Sequence, residues 1–190
     1  YGVEPNDAMR LAGEQYLADY PNFHSINGQA EATKLNNEAV DWVTAGTAFH
    51  WFNPEKSKLE FKRILKAPGF VLLTWNVRKK QDSALLQDYE NLILTYSKQY
   101  QDSPAQKFNQ TAAEKFFKPY SMQEAAFPNR QQFNWQGFKG RLLSTSYSLR
   151  ANDPQYEKML SELHKIFERH QQQGLVEFLY ETKLYYGQLK

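Results

Sequence analysis

The segment Phe70–Val77 (FVLLTWNV) is apolar with little alternation. It follows a stretch with Phe61, Ile64 and Leu65 on one side and Lys58, Lys62 and Lys66 on the other. A strand of that kind suits burial on both faces by helices. The same alternation of strand and amphipathic helix runs through the first 78 residues. Tyr1–Glu4 reads as the end of a strand. Pro5, Asn6 and Asp7 then start a helix with Asn6 as its cap. Met9, Ala12, Tyr16 and Tyr20 recur on one face of that helix, which Pro21 and Asn22 stop. Phe23–Asn27 and Val40–Gly46 (VDWVTAG) are short strand candidates. Asn53 and Pro54 supply a cap and a first-turn proline, and Ala67, Pro68 and Gly69 form a turn. The order strand, helix, strand, strand, helix, strand predicts an α/β fold with a mostly parallel sheet.

The pattern then changes. Leu85, Tyr89, Leu92, Tyr96 and Tyr100 lie on one face of a long helix, and Thr111–Lys118 is a second, shorter one. Residues 78–125 therefore read as a helical insertion in a single domain spanning 1–190. Phe127–Trp135 is expected to be extended, with a helix at 136–149. A further helix is expected at 153–173, carrying Tyr156, Leu160, Leu163, Phe167 and His170 on one face and ending at Gly174. Val176, Phe178, Tyr180, Thr182, Leu184 and Tyr186 alternate along a long closing strand.

Composition excludes several classes. Among 190 residues there are 23 basic and 21 acidic side chains, a net charge of +2, with no basic run. That balance gives no electrostatic case for nucleic acid or an anionic membrane. The 13 Phe, 12 Tyr and 4 Trp argue against disorder. With no Cys, thiolate metal sites and cysteine nucleophiles are excluded. The longest strongly apolar run, Gly69–Trp75, is far short of the roughly 18 residues that a membrane helix needs. No signal peptide is expected. His24, His164 and His170 lack metal-ligand spacing, and no metal site is expected. No Ser-His-Asp constellation or glycine-rich phosphate loop stands out.

Ligands of open α/β sheets bind at the carboxyl ends of strands. Those ends carry Glu4, the run Asn27–Glu31, Ala45–Trp51 and Asn76–Arg78. A strand-end acid can accept hydrogen bonds from both hydroxyls of a ribose. Glu4 could equally serve the dipole of the helix that follows. His50, in the run Phe49, His50, Trp51, Phe52, is either a general base or a histidine packed under aromatics. Gln29, Ala30 and Glu31 either face a base edge or start a helix. The aromatics of the insertion, Tyr89, Tyr96, Tyr100, Phe108, Phe116 and Phe117, either cover an acceptor pocket or simply pack.

Taken in order, GVEPN, INGQAEAT, VDWVTAGTAFHWFN and EFKRILKAPGFVLLTWNVR resemble a class I S-adenosylmethionine-dependent methyltransferase of the methyltransferase type 11, or UbiE-like, group. FNWQGFKGRLLSTSYSL and GLVEFLYETKLYYGQL resemble the last strands of the same group. The resemblance implies a Rossmann-like sheet, mostly parallel with an antiparallel last strand. It makes S-adenosylmethionine the cofactor. It places Glu4 on the cofactor ribose with Asn6 beside it. Ala30, flanked by Gln29 and Glu31, would pass the adenine edge. Ala45, Gly46 and Thr47 would line the methionine end, and His50 and Trp51 would sit near the sulfonium and the acceptor. Lys66, Ala67, Pro68 and Gly69 resemble the group's Lys-Pro-Gly-Gly turn with an altered order, a departure expected to affect only the turn.

A larger departure concerns the start. In that group a first strand and a glycine-rich loop precede the segment that begins here at Tyr1. The chain is thus expected to be N-terminally truncated, with two strand edges left open. The expected function is methyl transfer to a small organic acceptor in the cytoplasm, without nucleic acid or membrane, and with a homodimer as one way to cover the edges. The alternative is a non-catalytic remnant that folds or dimerises without cofactor. A nicotinamide dehydrogenase shares the strand-end acid but leaves the AFHWF segment without a role.

Overall fold

A computed structural model describes residues 1–97, 99–101 and 109–190. Phe108, one of the insertion aromatics, lies outside the described residues. The chain divides into two compact units. The first comprises Tyr1–Thr74, Gln110–Glu124 and Tyr185–Lys190, and the second Trp75–Asn109 and Ala125–Leu184. The stretch 78–125, expected as one helical insertion, thus contributes to both.

The first unit opens with strand β1 (Gly2–Val3), helix α1 (Asp7–Tyr16) and strand β2 (Ser25–Ile26). β1 and β2 pair in parallel as a two-stranded sheet. Asn6 caps α1, its side chain accepting from the amide of Met9 at 3.0 Å. The apolar period of α1 is real, but the helix stops at Tyr16 and buries no residue. Met9 and Tyr16 are 64% and 85% exposed. Periodicity marks a helix; it does not say what covers its apolar side.

Strand β3 (Val40–Gly46) leads through a short 3-10 turn at Phe49–Trp51 into helix α2 (Pro54–Ile64). Asn53 caps α2 on the amide of Lys56 at 3.0 Å, with Pro54 in the first turn. Such a cap contributes about 1 kcal/mol. Strand β4 (Leu65–Arg78) follows at once and runs parallel to β3. The register steps from Val40 opposite Leu65 to Trp42 opposite Phe70. The expected turn at Ala67–Gly69 therefore sits inside the strand as a bulge. Gly69 packs back so tightly that a Cβ there would lie 2.5 Å from the Lys66 carbonyl oxygen. Beyond the bulge, Val71, Leu73 and Trp75 are buried, while Phe70, Leu72 and Thr74 are only half-covered. The strand expected to be buried on both faces is fully buried on one. On the other, Phe70 stacks on the exposed Trp42 at 4.9 Å.

Helix α3 (Ala84–Tyr96) belongs to the second unit and helix α4 (Gln110–Phe117) to the first. Strand β5 (Gln123–Phe133), helix α5 (Trp135–Leu143), helix α6 (Tyr156–His170) and strand β6 (Val176–Gln188) complete the chain. The main sheet has the order β3-β4-β6-β5. The Thr182 hydroxyl donates to Asn76 Oδ1 at 2.7 Å, and the Lys79 amide donates to the Leu179 carbonyl at 2.9 Å. One index rises as the other falls, so β6 runs antiparallel to β4. Asn129 with Thr182 (3.0 Å) and Arg130 with Glu177 (3.6 Å) give the same sense against β5.

The second unit's core joins Leu85, Leu86, Tyr89, Leu92 and Ile93 of α3 to Leu163 and Phe167 of α6, Phe138 of α5 and Phe178 of β6. Tyr89, Tyr96 and Tyr100 are part of this core. An ion pair from Asp88 to Arg169 and a hydrogen bond between Asp88 and His170, both 2.8 Å, join α3 to α6. Phe116 and Phe117 are buried in the first unit.

Candidate active site

The residues expected at the site lie after β1, β2 and β3, all in the first unit. Glu4 follows β1, and its amide donates to the Ile26 carbonyl at 3.1 Å. Its carboxylate accepts from the amide of Asn6 at 2.8 Å. Glu4 and Asn6 are therefore one hydrogen-bonded turn at the end of β1, and the second carboxylate oxygen can meet a ligand hydroxyl.

After β2, Gly28 is enclosed. A Cβ there would stand 3.1 Å from the carbonyl oxygens of Ala32 and Thr33 and 3.2 Å from Val3. That space lets the chain double back. Gln29 and Ala32 exchange backbone hydrogen bonds of 2.9 and 3.3 Å, leaving Ala30 and Glu31 at the tip of a reverse turn. The segment is a turn and not a helix start. The Glu31 carboxylate accepts from the amide of Asn53 at 2.6 Å. Its carboxylate is thus engaged with the cap of α2.

At the end of β3, Ala45 is buried and Gly46 is exposed, as is Thr47 just beyond it. Thr47 has φ of 51° and donates its amide to the Thr74 carbonyl at 2.8 Å. A β-branched residue in the left-handed region stores strain. The aromatic run then divides. Phe49 and Phe52 turn inward, with Phe49 meeting Phe116 edge-to-face at 4.8 Å. Trp51 turns outward and is 62% exposed. His50 is half-buried, its ring 4.9 Å from that of Trp51. Burial lowers the His50 pKa, which favours the neutral imidazole.

A clasp that sequence reasoning missed joins the loop after β2 to α2. Glu60 Oε1 accepts from the amide of Thr33 at 2.8 Å, the Thr33 hydroxyl at 2.5 Å and Arg63 Nη2 at 2.7 Å. Arg63 Nε donates to the other Glu60 oxygen at 2.8 Å, and Nη2 also reaches the Leu35 carbonyl at 2.8 Å. Arg63, with Thr33, holds the Glu60 carboxyl at about 2, against the opposing effect of its burial. The i,i+3 spacing of Glu60 and Arg63 is visible in the sequence. The link to Thr33 is not. Together with Glu31–Asn53, the clasp brings the turn after β2 beside the segment that follows β3.

Among the described residues no cluster of His, Asp and Glu could hold a metal ion. No described helix is long and apolar enough to cross a membrane.

Residues 1–73 match the family described as methyltransferase domain. An uncharacterized methyltransferase of Schizosaccharomyces pombe is 42% identical over 59 residues, which are 31% of this chain and 24% of that protein. One of Mycobacterium bovis is 33% identical over 75 residues, 40% of this chain and 28% of that protein. The matches thus span about a quarter of these relatives' length. A solved structure from Anaeromyxobacter dehalogenans, named as a type II methyltransferase, aligns with a TM-score of 0.63 at 16% identity. It covers 98% of this chain and 79% of that one. One from Anabaena variabilis, named as a methyltransferase of an antibiotic biosynthesis pathway, aligns at 0.61 and 19% identity, covering 96% and 79%. Residues 1–73 thus match the methyltransferase domain, in a chain that shares the Rossmann-like fold of these solved methyltransferases.

Proposed function

We propose that the chain transfers the methyl group of S-adenosylmethionine to a small organic acceptor. One observation carries this reading. The segment that matches the methyltransferase domain is the one that carries an acid after β1, a stapled reverse turn after β2 and a small-residue end on β3. The residues fit that cofactor. Glu4 offers a carboxylate oxygen for ribose hydroxyls, Gln29 and Ala30 offer a turn for the adenine edge, and the exposed Gly46 and Thr47 leave room for the methionine end. When bound, S-adenosylmethionine supplies an electrophilic sulfonium methyl. The chain's own task is then to hold donor and acceptor in line at short distance. His50 takes the acceptor proton where one must leave, and the exposed Trp51 ring forms a wall beside it.

Calorimetric titration of the chain with S-adenosylhomocysteine tests the reading. Micromolar binding that Glu4→Ala weakens supports it. A folded chain that gives no heat overturns it for this chain and leaves the second reading, a methyltransferase-like chain that folds or dimerises without cofactor. That reading draws on β1 and β3, both of which are edge strands among the described residues.

A further inference from the structure

Glu60 makes more hydrogen bonds than its own helix asks of it. The residue is 9% exposed, and Thr33 is 4% exposed. A buried carboxylate persists only where it is paired and hydrogen-bonded. Arg63 meets it as a fork, with Nε on Oε2 at 2.8 Å and Nη2 on Oε1 at 2.7 Å. Within α2 that pair would be complete. Yet Oε1 also takes the amide and the hydroxyl of Thr33, at 2.8 and 2.5 Å, across 27 residues of chain. Arg63 carries the attachment further, to Asn37 Oδ1 and to the Leu35 carbonyl, both at 2.8 Å. The loop is thus fastened to α2 at Thr33, Leu35 and Asn37.

Thr33 is the link to the turn after β2. Its neighbour Ala32 closes that turn on Gln29. The carbonyl oxygens of Ala32 and Thr33 stand against the buried Gly28, each 3.1 Å from where a Cβ would lie, and Val3 Cγ1 stands at 3.2 Å. Val3 ends β1 and precedes Glu4. Tight contacts therefore run from Glu60 through Thr33 and Gly28 to Val3. They set the height of the turn against the strand that ends in Glu4.

We propose that Glu60 is a positioning residue for base recognition: by holding Thr33 it fixes the turn Gln29–Ala32 at the height where the turn's peptide groups meet a 6-amino purine. This rests on the methyl-transfer reading and goes beyond it, because it assigns base specificity to a side chain that does not touch the ligand. Adenine presents an acceptor at N1 beside a donor at N6. Hypoxanthine reverses both, with a donor at N1 and an acceptor at O6. Peptide groups held at one height pair with the first pattern and are left unpaired by the second. A turn free to shift loses that discrimination.

The test is calorimetric titration of the full chain at pH 7 with S-adenosylhomocysteine and S-inosylhomocysteine, which differ only at that base edge. Wild type is expected to prefer the adenine ligand by about tenfold or more, the scale of one mispaired hydrogen bond. Glu60→Gln should weaken S-adenosylhomocysteine by about tenfold and S-inosylhomocysteine by less than about threefold, so that the preference shrinks. Thr33→Val deletes the hydroxyl and should shift the preference the same way, whereas Thr33→Ser keeps the hydroxyl and should keep the wild-type preference. A variant that is only less stable binds every ligand more weakly by one common factor, since only its competent fraction falls. The ratio of the two affinities is therefore blind to a purely structural role. A preference that Glu60→Gln leaves unchanged overturns the positioning role and leaves the methyl-transfer reading standing, as does a wild type that binds both ligands equally. A folded wild type that binds neither ligand overturns that reading and this proposal together.

Discussion

Thr47 sits in the left-handed region at the end of β3, with φ of 51°. For a β-branched residue that conformation costs about 1–3 kcal/mol. Glycine adopts it without strain but gives back about 0.5–1 kcal/mol in chain entropy. Thr47→Gly is therefore expected to raise stability by up to about 2.5 kcal/mol, read from urea midpoints. If Thr47 lines the methionine end, the same variant loses affinity for S-adenosylhomocysteine while it gains stability. A purely structural Thr47 moves only the first quantity. Glu4→Ala is expected to weaken that ligand by about 1–3 kcal/mol, the scale of a lost hydrogen bond to a charged group. Its own carboxylate already accepts from Asn6, so a small stability loss accompanies the change. His50→Ala should lower turnover more than cofactor affinity if the imidazole takes the acceptor proton, and equal turnover would make it structural.

The Glu60 clasp works at the scale of elements, because it fixes the loop after β2 to α2. The native carboxyl titrates at about 2 against an ordinary 4.5. A depressed native pKa gives stability that is present above the unfolded value and is lost as the proton binds. The expected contribution is about 3 kcal/mol above pH 5, falling away between pH 4.5 and 2. Urea denaturation across that range should show the loss in wild type. Glu60→Gln should be less stable at neutral pH and flatter in acid. A wild-type curve no steeper than the variant's would remove the clasp. The core behind it was partly legible. Phe61 and Ile64 were expected inward from their spacing on α2, and both are buried. Thr33 is 27 residues from Glu60, and no local period reports a contact of that range. Likewise the composition of Ala67, Pro68 and Gly69 marks a turn, but only the pairing with β3 shows that the turn is a bulge within one strand. Of the aromatic run after β3, the sequence could not sort inward from outward. The inward choice falls to Phe49 because α4 brings Phe116 against it.

At the scale of the whole molecule, β1 and β3 are among the edge strands, and an apolar helix side stands exposed among the described residues. β1 pairs only with β2, and β3 only with β4. Met9, Leu11 and Tyr16 of α1 are exposed, as is Trp42 on β3. Unpaired strand edges beside exposed apolar side chains favour association through added strands. Self-association that rises with concentration is the expected outcome in sedimentation velocity. Trp42→Lys places a charge on the β3 edge and should shift the chain toward monomer. The stack of Trp42 on Phe70 is worth only about 0.5–1.5 kcal/mol beyond its buried area, so the variant should still fold. A wild-type chain that stays monomeric at high concentration would show that these edges do not drive assembly. If instead association weakens when S-adenosylhomocysteine binds, the edge and the cofactor site compete. Ordering the strand ends would then be the event that couples them, since Thr47 and Gly46 close the same strand that carries Trp42.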